Sequence, residues 1–239
     1  FFCWLNEEGI EAPAREDILR YKEAMKATHK ASTAQTYIVA VKLFFAWLEQ
    51  EGLYKDVARN IKGVKIDKNH KKDYLTSSQA HEIISAMPRE TEKDKRNFAI
   101  VSLMLTTGIR TIEVVRADIA DFRTLGDSTV LFLQGKGRDD KTEYVKIAPE
   151  VEKAIRAYLS TRKNAGTDAP LFTSTSNNNT GERMTTRSIS GIAKDSMVRA
   201  GYDSEMLTAH SFRHTSGTLA LMNGAYKKWT KQQKKLMHH

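Results

Sequence analysis

The sequence predicts a mainly α fold with a small antiparallel β-sheet (α+β), divided into two domains. Three observations carry this. Apolar residues recur three to four apart through most patterned stretches, which is the helical period. Only residues 129–147 break it, with short β-forming runs "TVLFLQ" and "TEYVKI" around a polar, glycine-containing tip, "GKGRDDK". Between two patterned regions lies the cationic "KGVKIDKNHKKD", which has neither period and reads as an interdomain linker.

The first helix is expected after Pro13, with proline in its first turn, early acids, and Ile18, Tyr21 and Met25 on one face. A second is expected to open at "STAQ" with a capping box from Ser32 to Gln35. Its face of Ile38, Val41, Phe45 and Leu48 runs until Gly52 stops it. With "FFCWL" these form a helical unit over residues 1–64. Residues 65–73 are the basic linker, and a second domain occupies 74–239. That domain opens at "LTSSQAHEIISAM", where Thr76 and Gln79 have capping-box spacing. Residues 96–107 are apolar nearly all round, as in a helix buried in a core. The hairpin follows, then helices from Pro149 to about Arg162, from Thr185 to Ala200 and from Thr208 to Asn223, with a polar loop "TSTSNNNTGERM" between the first two.

Composition narrows the class of partner. The 239 residues carry a formal net charge of +9, which suits DNA, RNA or an anionic membrane surface. No apolar run approaches the roughly 20 residues that cross a bilayer, and no signal-peptide pattern opens the chain, so a cytoplasmic protein is expected. A single cysteine, Cys3, excludes an internal disulfide and a cysteine-based zinc site. The chain starts on Phe1, so a piece of a longer protein is expected.

Candidate chemistry begins at "MLTTGIRTIEV". Arg110 ends an apolar run, and a guanidinium near a buried helix end needs an acid or a bound anion. Glu113, three residues on, can brace it along one turn. Alone, "RTIE" is most simply a structural ion pair. In "TAHSFRHTSGTLAL", His210 and Arg213 share a helical face and together offer a cation and a titratable group. His214 stands four residues from His210, the spacing of a metal pair, but no third ligand is evident nearby. Lys136, between glycines at the hairpin tip, can reach a ligand flexibly; "GKG" lacks the P-loop pattern and opens no helix.

An arginine in "TGIRTIE", a hairpin lysine and then H-x-x-R, in this order, resembles the tyrosine recombinase (phage integrase) family over nearly the whole chain, as in the integrase of a phage or conjugative transposon. The resemblance implies a helical core-binding domain over 1–64 and a C-terminally truncated catalytic domain over 74–239. It further implies site-specific recombination of double-stranded DNA through a 3'-phosphotyrosyl intermediate, with no metal or other cofactor. Arg110 and Arg213 then clamp the scissile phosphate, Lys136 protonates the leaving 5'-oxygen, His210 assists and Glu113 holds Arg110. A homo-tetramer on DNA and association with the bacterial nucleoid also follow from the resemblance. Independently of family, two fixed guanidiniums suit the charge that develops on a phosphodiester under attack, and a lysine can protonate an alkoxide without a metal.

The pattern breaks near the end. His239 in "LMHH" matches the family's second histidine, displaced by about three residues. No tyrosine stands at the nucleophile's spacing, and Tyr226, only 13 residues after Arg213, is too early. The chain as given is therefore expected to bind DNA without forming the covalent link. Phosphate contacts are expected from Lys62, Lys65, Lys71 and Lys72, further DNA contacts from Arg138 and Lys141, and a major-groove contact from Arg187. Two rival classes remain: a catalytically incomplete DNA-binding regulator, and a helical DNA-binding module in which the four charged groups lie far apart.

Overall fold

The structure is a computed structural model that describes residues 1–66, 73–135, 137, 139–162 and 165–223. It is mainly helical with one three-stranded antiparallel sheet, and it divides into two compact units, Phe1–Asn69 and His70–His239. Lys71, Lys72, Lys136, Arg138 and His239 lie outside the described residues. Among the described residues no helix is long and apolar enough to cross a membrane.

The first unit contains α1 (Phe2–Glu7), α2 (Arg15–Thr28) and α3 (Ala31–Gln50). Ile18 and Tyr21 of α2 meet Ile38, Val41 and Phe45 of α3, and Val57, Ala58 and Ile61 close the cluster. Each of the large aliphatic and Phe side chains among these contributes roughly 1.5–3 kcal/mol on leaving water, before entropy is set against it. Two expected helix starts are corrected. Pro13 precedes the N-cap instead of lying in the first turn of α2, because Ala14 caps it and the Ala14 amide donates to Asp17 at 2.8 Å. Likewise α3 starts from Lys30, without a capping box from Ser32. Gln35 is engaged elsewhere: its side-chain oxygen accepts the Val64 amide at 2.5 Å.

In the second unit α4 (Ser77–Ser85) begins on the expected box, with Gln79 N–H donating to Thr76 Oγ1 at 3.2 Å and Thr76 N–H to Gln79 Oε1 at 2.9 Å. The apolar run lies in α5 (Glu92–Thr107), which starts earlier than the run itself because Thr91 and Asp94 form a further capping box. Ala99 to Leu105 of α5 are all buried. Against α5 pack α7 (Pro149–Leu159), α8 (Thr186–Arg199), α9 (Ala209–Met222) and α4. The sheet has order β1-β2-β3, from Phe122–Leu125, Ser128–Leu133 and Glu143–Lys146. The expected hairpin is β2 and β3, paired with Val130 opposite Lys146; β1 was not expected. The short helix α6 (Thr111–Arg116) was foreseen only as the turn linking Arg110 to Glu113. The stretch after Phe172 is more ordered than a plain polar loop, since Thr173 bridges Arg183 and Ser174 N–H donates to Glu182 O at 2.8 Å.

Candidate active site

Helix α5 stops at Gly108, whose φ of 66° and ψ of 21° put it in the left-handed region. Its N–H still donates to Met104 O, so the chain turns sharply where α5 ends and Ile109 plugs into the core at 2% exposure. Arg110 follows in extended conformation and caps α6. The buried Glu113 carboxylate accepts the Arg110 backbone N–H at 2.6 Å through one oxygen and the guanidinium NH1 at 2.8 Å through the other. One acid thereby fixes both the main chain and the side chain of Arg110, which keeps 29% of its side-chain surface.

From 103 residues downstream, α9 brings the second arginine. Phe212 is fully buried and Thr215 Oγ1 accepts the Leu75 N–H at 2.8 Å, so the helix is locked in rotation. Arg213, one residue past Phe212, then donates NH1 to the Gly108 carbonyl at 2.6 Å. Burial lowers the Arg213 pKa, nearby Arg110 lowers it further, and Glu113 opposes both. A guanidinium remains charged despite this. Arg110 and Arg213 thus stand close enough to repel each other, and Glu113 offsets part of that repulsion.

His210 lies one turn before Arg213 on α9, its ring edge-on to His214 with centroids 4.8 Å apart. Arg110, His210 and Arg213 line one cleft of about 680 Å³. Five further polar lining residues were missed as site residues from sequence: Thr111 of α6, Ser190 and Lys194 of α8, and Glu205 and Thr208. Lys194 was detectable in principle, standing seven residues after Arg187 on the same helix. It also pairs with Asp203 at 2.9 Å and donates to Ser204 O at 2.8 Å. Among the described residues no group of three or more His, Cys, Asp or Glu could hold a metal ion.

The remaining candidates are spread more widely. Arg187 is exposed in the first turn of α8, and Lys62 and Lys65 are exposed in the first unit. Lys141 is engaged internally, donating to Asp118 at 2.6 Å and Asp121 at 2.5 Å. Burial pulls its pKa down, but these two carboxylates outweigh that and raise it.

Two guanidiniums and an imidazole line this cleft, with the buried Glu113 bracing Arg110, in a helical unit with a small antiparallel sheet, an arrangement able to hold a phosphate-like anion. Similarity to known proteins narrows this. The profile described as "Phage integrase family" matches residues 73–232, and the chain belongs to that family, the tyrosine recombinases, which are DNA breaking-rejoining enzymes. It is 28% identical over 218 residues to tyrosine recombinase XerC of Thermodesulfovibrio yellowstonii, a match covering 88% of this chain and 67% of the relative. The crystal structure of XerA recombinase is similar at 31% identity and a TM-score of 0.53, covering 88% of this chain and 70% of that one. The fold also matches XerH site-specific recombinase bound to its palindromic difH substrate, with a TM-score of 0.73 at 19% identity over 89% of this chain and 63% of that one. The chain thus spans about two thirds of the length of the curated relatives it matches.

Proposed function

We propose that this chain binds a specific double-stranded DNA site and holds one backbone phosphate for strand cleavage and rejoining, in the integration and excision of a mobile element. The observation that carries the reading is the convergence of Arg110, His210 and Arg213 on one cleft, with Gly108 and Glu113 fixing the two guanidiniums. Residues 1–64 serve as the core-binding domain and 74–239 as the catalytic domain. Lys62, Lys65, Lys71, Lys72 and Arg138 contribute phosphate contacts, and Arg187 reads the major groove; Lys141, expected from sequence to join them, is instead held by Asp118 and Asp121.

In the proposed reaction a tyrosine oxygen attacks the phosphorus, forming the 3'-phosphotyrosyl bond while the bond to the 5'-oxygen breaks. Arg110 and Arg213 donate to the nonbridging oxygens, where charge builds. Lys136 delivers a proton to the departing 5'-oxygen, and His210 and His239 assist proton transfer and orientation. Attack by a 5'-hydroxyl on the phosphotyrosine reverses the step, so one phosphodiester replaces another. Four copies on DNA carry out the exchange. Relatives captured in solved structures include XerH with difH DNA in pre- and post-cleavage complexes and the Tn1549 transposon integrase with circular-intermediate DNA.

The groups read here position and polarise the phosphate, and on this platform reading none of the tyrosines in these 239 residues is the nucleophile. A duplex selected from a random pool by binding, then nicked beside the bound phosphate, tests this. Tight binding that Arg110→Ala and Arg213→Ala each weaken, with no protein–DNA adduct on a denaturing gel, is expected. An adduct at Tyr226 overturns the platform reading, and binding indifferent to both arginines overturns the clamp.

A further inference from the structure

Within the first unit, three cations are aimed at one stretch of main chain. From α2, Arg15 donates to Arg59 O at 2.6 Å and Lys22 to Lys62 O at 2.9 Å. From α3, Lys42 donates to Ile61 O at 2.9 Å, while the Gln35 side-chain oxygen accepts the Val64 N–H at 2.5 Å. Arg15 and Lys22 are seven residues apart on α2, as are Gln35 and Lys42 on α3, so each pair runs along one helix face for two turns, about 10 Å. The chain from 59 to 62 covers that length only when extended, at roughly 3.3 Å per residue. Residues 59–65 thus form a strap along α2 and α3, pinned from both helices, with Ile61 buried in the core at 2% exposure. Gly63 permits the close fit, since a Cβ there would overlap the Gln35 side chain.

A carbonyl is neutral, so an ammonium bonded to one keeps its whole charge. Among the described residues, Arg20, Lys26 and Arg59 take up acids of this unit, including Glu23 next to Lys22. Lys22 and Lys42 are half-buried and each uses one donor on the strap, whereas an ammonium has three. The strap adds Lys62 and Lys65, both exposed, and residues 59–65 contain no acid. A partly buried positive charge bonded to a neutral group favours an anion brought close.

We propose that the strap and the two lysines flanking it are the first unit's contact surface for the DNA backbone. Lys22 and Lys42 bind phosphate oxygens beside those bound by Lys62 and Lys65, and Arg15 is a positioning residue that holds the start of the strap. This rests on the reading of residues 1–64 as a DNA-binding unit. An extended strip with cations spaced along it suits a row of phosphates and carries no preference among bases.

The test titrates the whole chain with a random-sequence duplex at several salt concentrations, well below the melting temperature of each variant. Lys22→Gln and Lys42→Gln should each lower the slope of log affinity against log salt by about 1, the loss of one phosphate contact. Lys22→Arg and Lys42→Arg, which keep the charge, should hold the wild-type slope. Lys26→Gln makes the same charge change one turn along α2, at a lysine already paired with Glu23, and should leave the slope nearly unchanged. A wild-type slope in Lys22→Gln and Lys42→Gln, with or without a fall in melting temperature, marks these lysines as anchors of the strap and overturns the inference alone. An equal drop in Lys26→Gln marks a response to net charge and overturns it too. If Lys62→Gln and Lys65→Gln also leave the slope as it was, the first unit does not hold DNA, and the reading beneath the inference fails with it.

Discussion

Arg213 donates to the main-chain carbonyl of Gly108 at 2.6 Å, so the second arginine of the cleft is oriented by the residue that ends the helix preceding the first. Gly108 is suited to this for two reasons. Its φ of 66° is costly for any residue with a Cβ, and an added Cβ would lie 3.1 Å from Ser216 Oγ and 3.2 Å from Ser216 Cβ. Gly108→Ala should therefore destabilise the second unit by about 1–2 kcal/mol from backbone strain and displace Arg213 as well. Denaturant unfolding reads the first effect and duplex affinity the second. Adding Ser216→Gly should recover only the part due to crowding.

Glu113 is the next test. With 6% of its side chain exposed, it accepts two bonds from Arg110. Glu113→Ala should cost about 1–3 kcal/mol, because the Arg110 N–H loses its acceptor in a partly buried place. Duplex affinity should fall along with stability, since the guanidinium is no longer aimed. Glu113→Gln keeps an acceptor and should retain more of both. Affinity unchanged in Glu113→Ala would show that Arg110 needs no brace.

The pH response of the Lys141 bridge has a definite sign. Burial pushes the Asp118 carboxyl up, but hydrogen bonds from Lys141 and Arg183 outweigh it and hold the pKa below its ordinary value. A depressed carboxylate contributes stability above its unfolded pKa of about 3.9 and loses it as pH falls through the folded value. The raised Lys141 contributes below the ordinary lysine value of about 10.4 and loses that contribution as pH rises through its folded value. The stability gap between wild type and Asp118→Asn, measured by urea unfolding, should thus be level near neutrality. It should shrink as acid protonates Asp118.

For DNA binding, Lys65→Ala should weaken selected and random duplexes alike and lower the slope of log affinity against log salt by about 1. Arg187→Ala should instead compress the difference between selected and random duplexes, as loss of a base contact does. Gel-shift titrations at several salt concentrations read both. Equal losses on both duplexes for both variants contradict the assignment.

Locally determined features were the most legible in the sequence. The Thr76–Gln79 box needs only two side chains and one turn, and it forms as expected. Ser32 and Gln35 have the same spacing, yet a long-range bond from the Val64 amide claims Gln35, and no single-sequence pattern reports such a contact. Strand β1 was missed because "FRTL" is short and mostly exposed, leaving no alternation to detect. At the cleft, Arg110 with its brace Glu113, and His210 with Arg213, were legible only from "TGIRTIE" and H-x-x-R taken together, since each piece alone reads as an ion pair or a solvated helix face. Arg116, Asp118 and Arg183 were not, since each reads as an ordinary surface charge until the chain folds back on itself.

Because α9 supplies both His210 and Arg213 and docks through Phe212 and Thr215, the cleft is finished only when that late helix arrives. Any truncation before Ala209 would leave Arg110 and Glu113 without the second cation of the cleft.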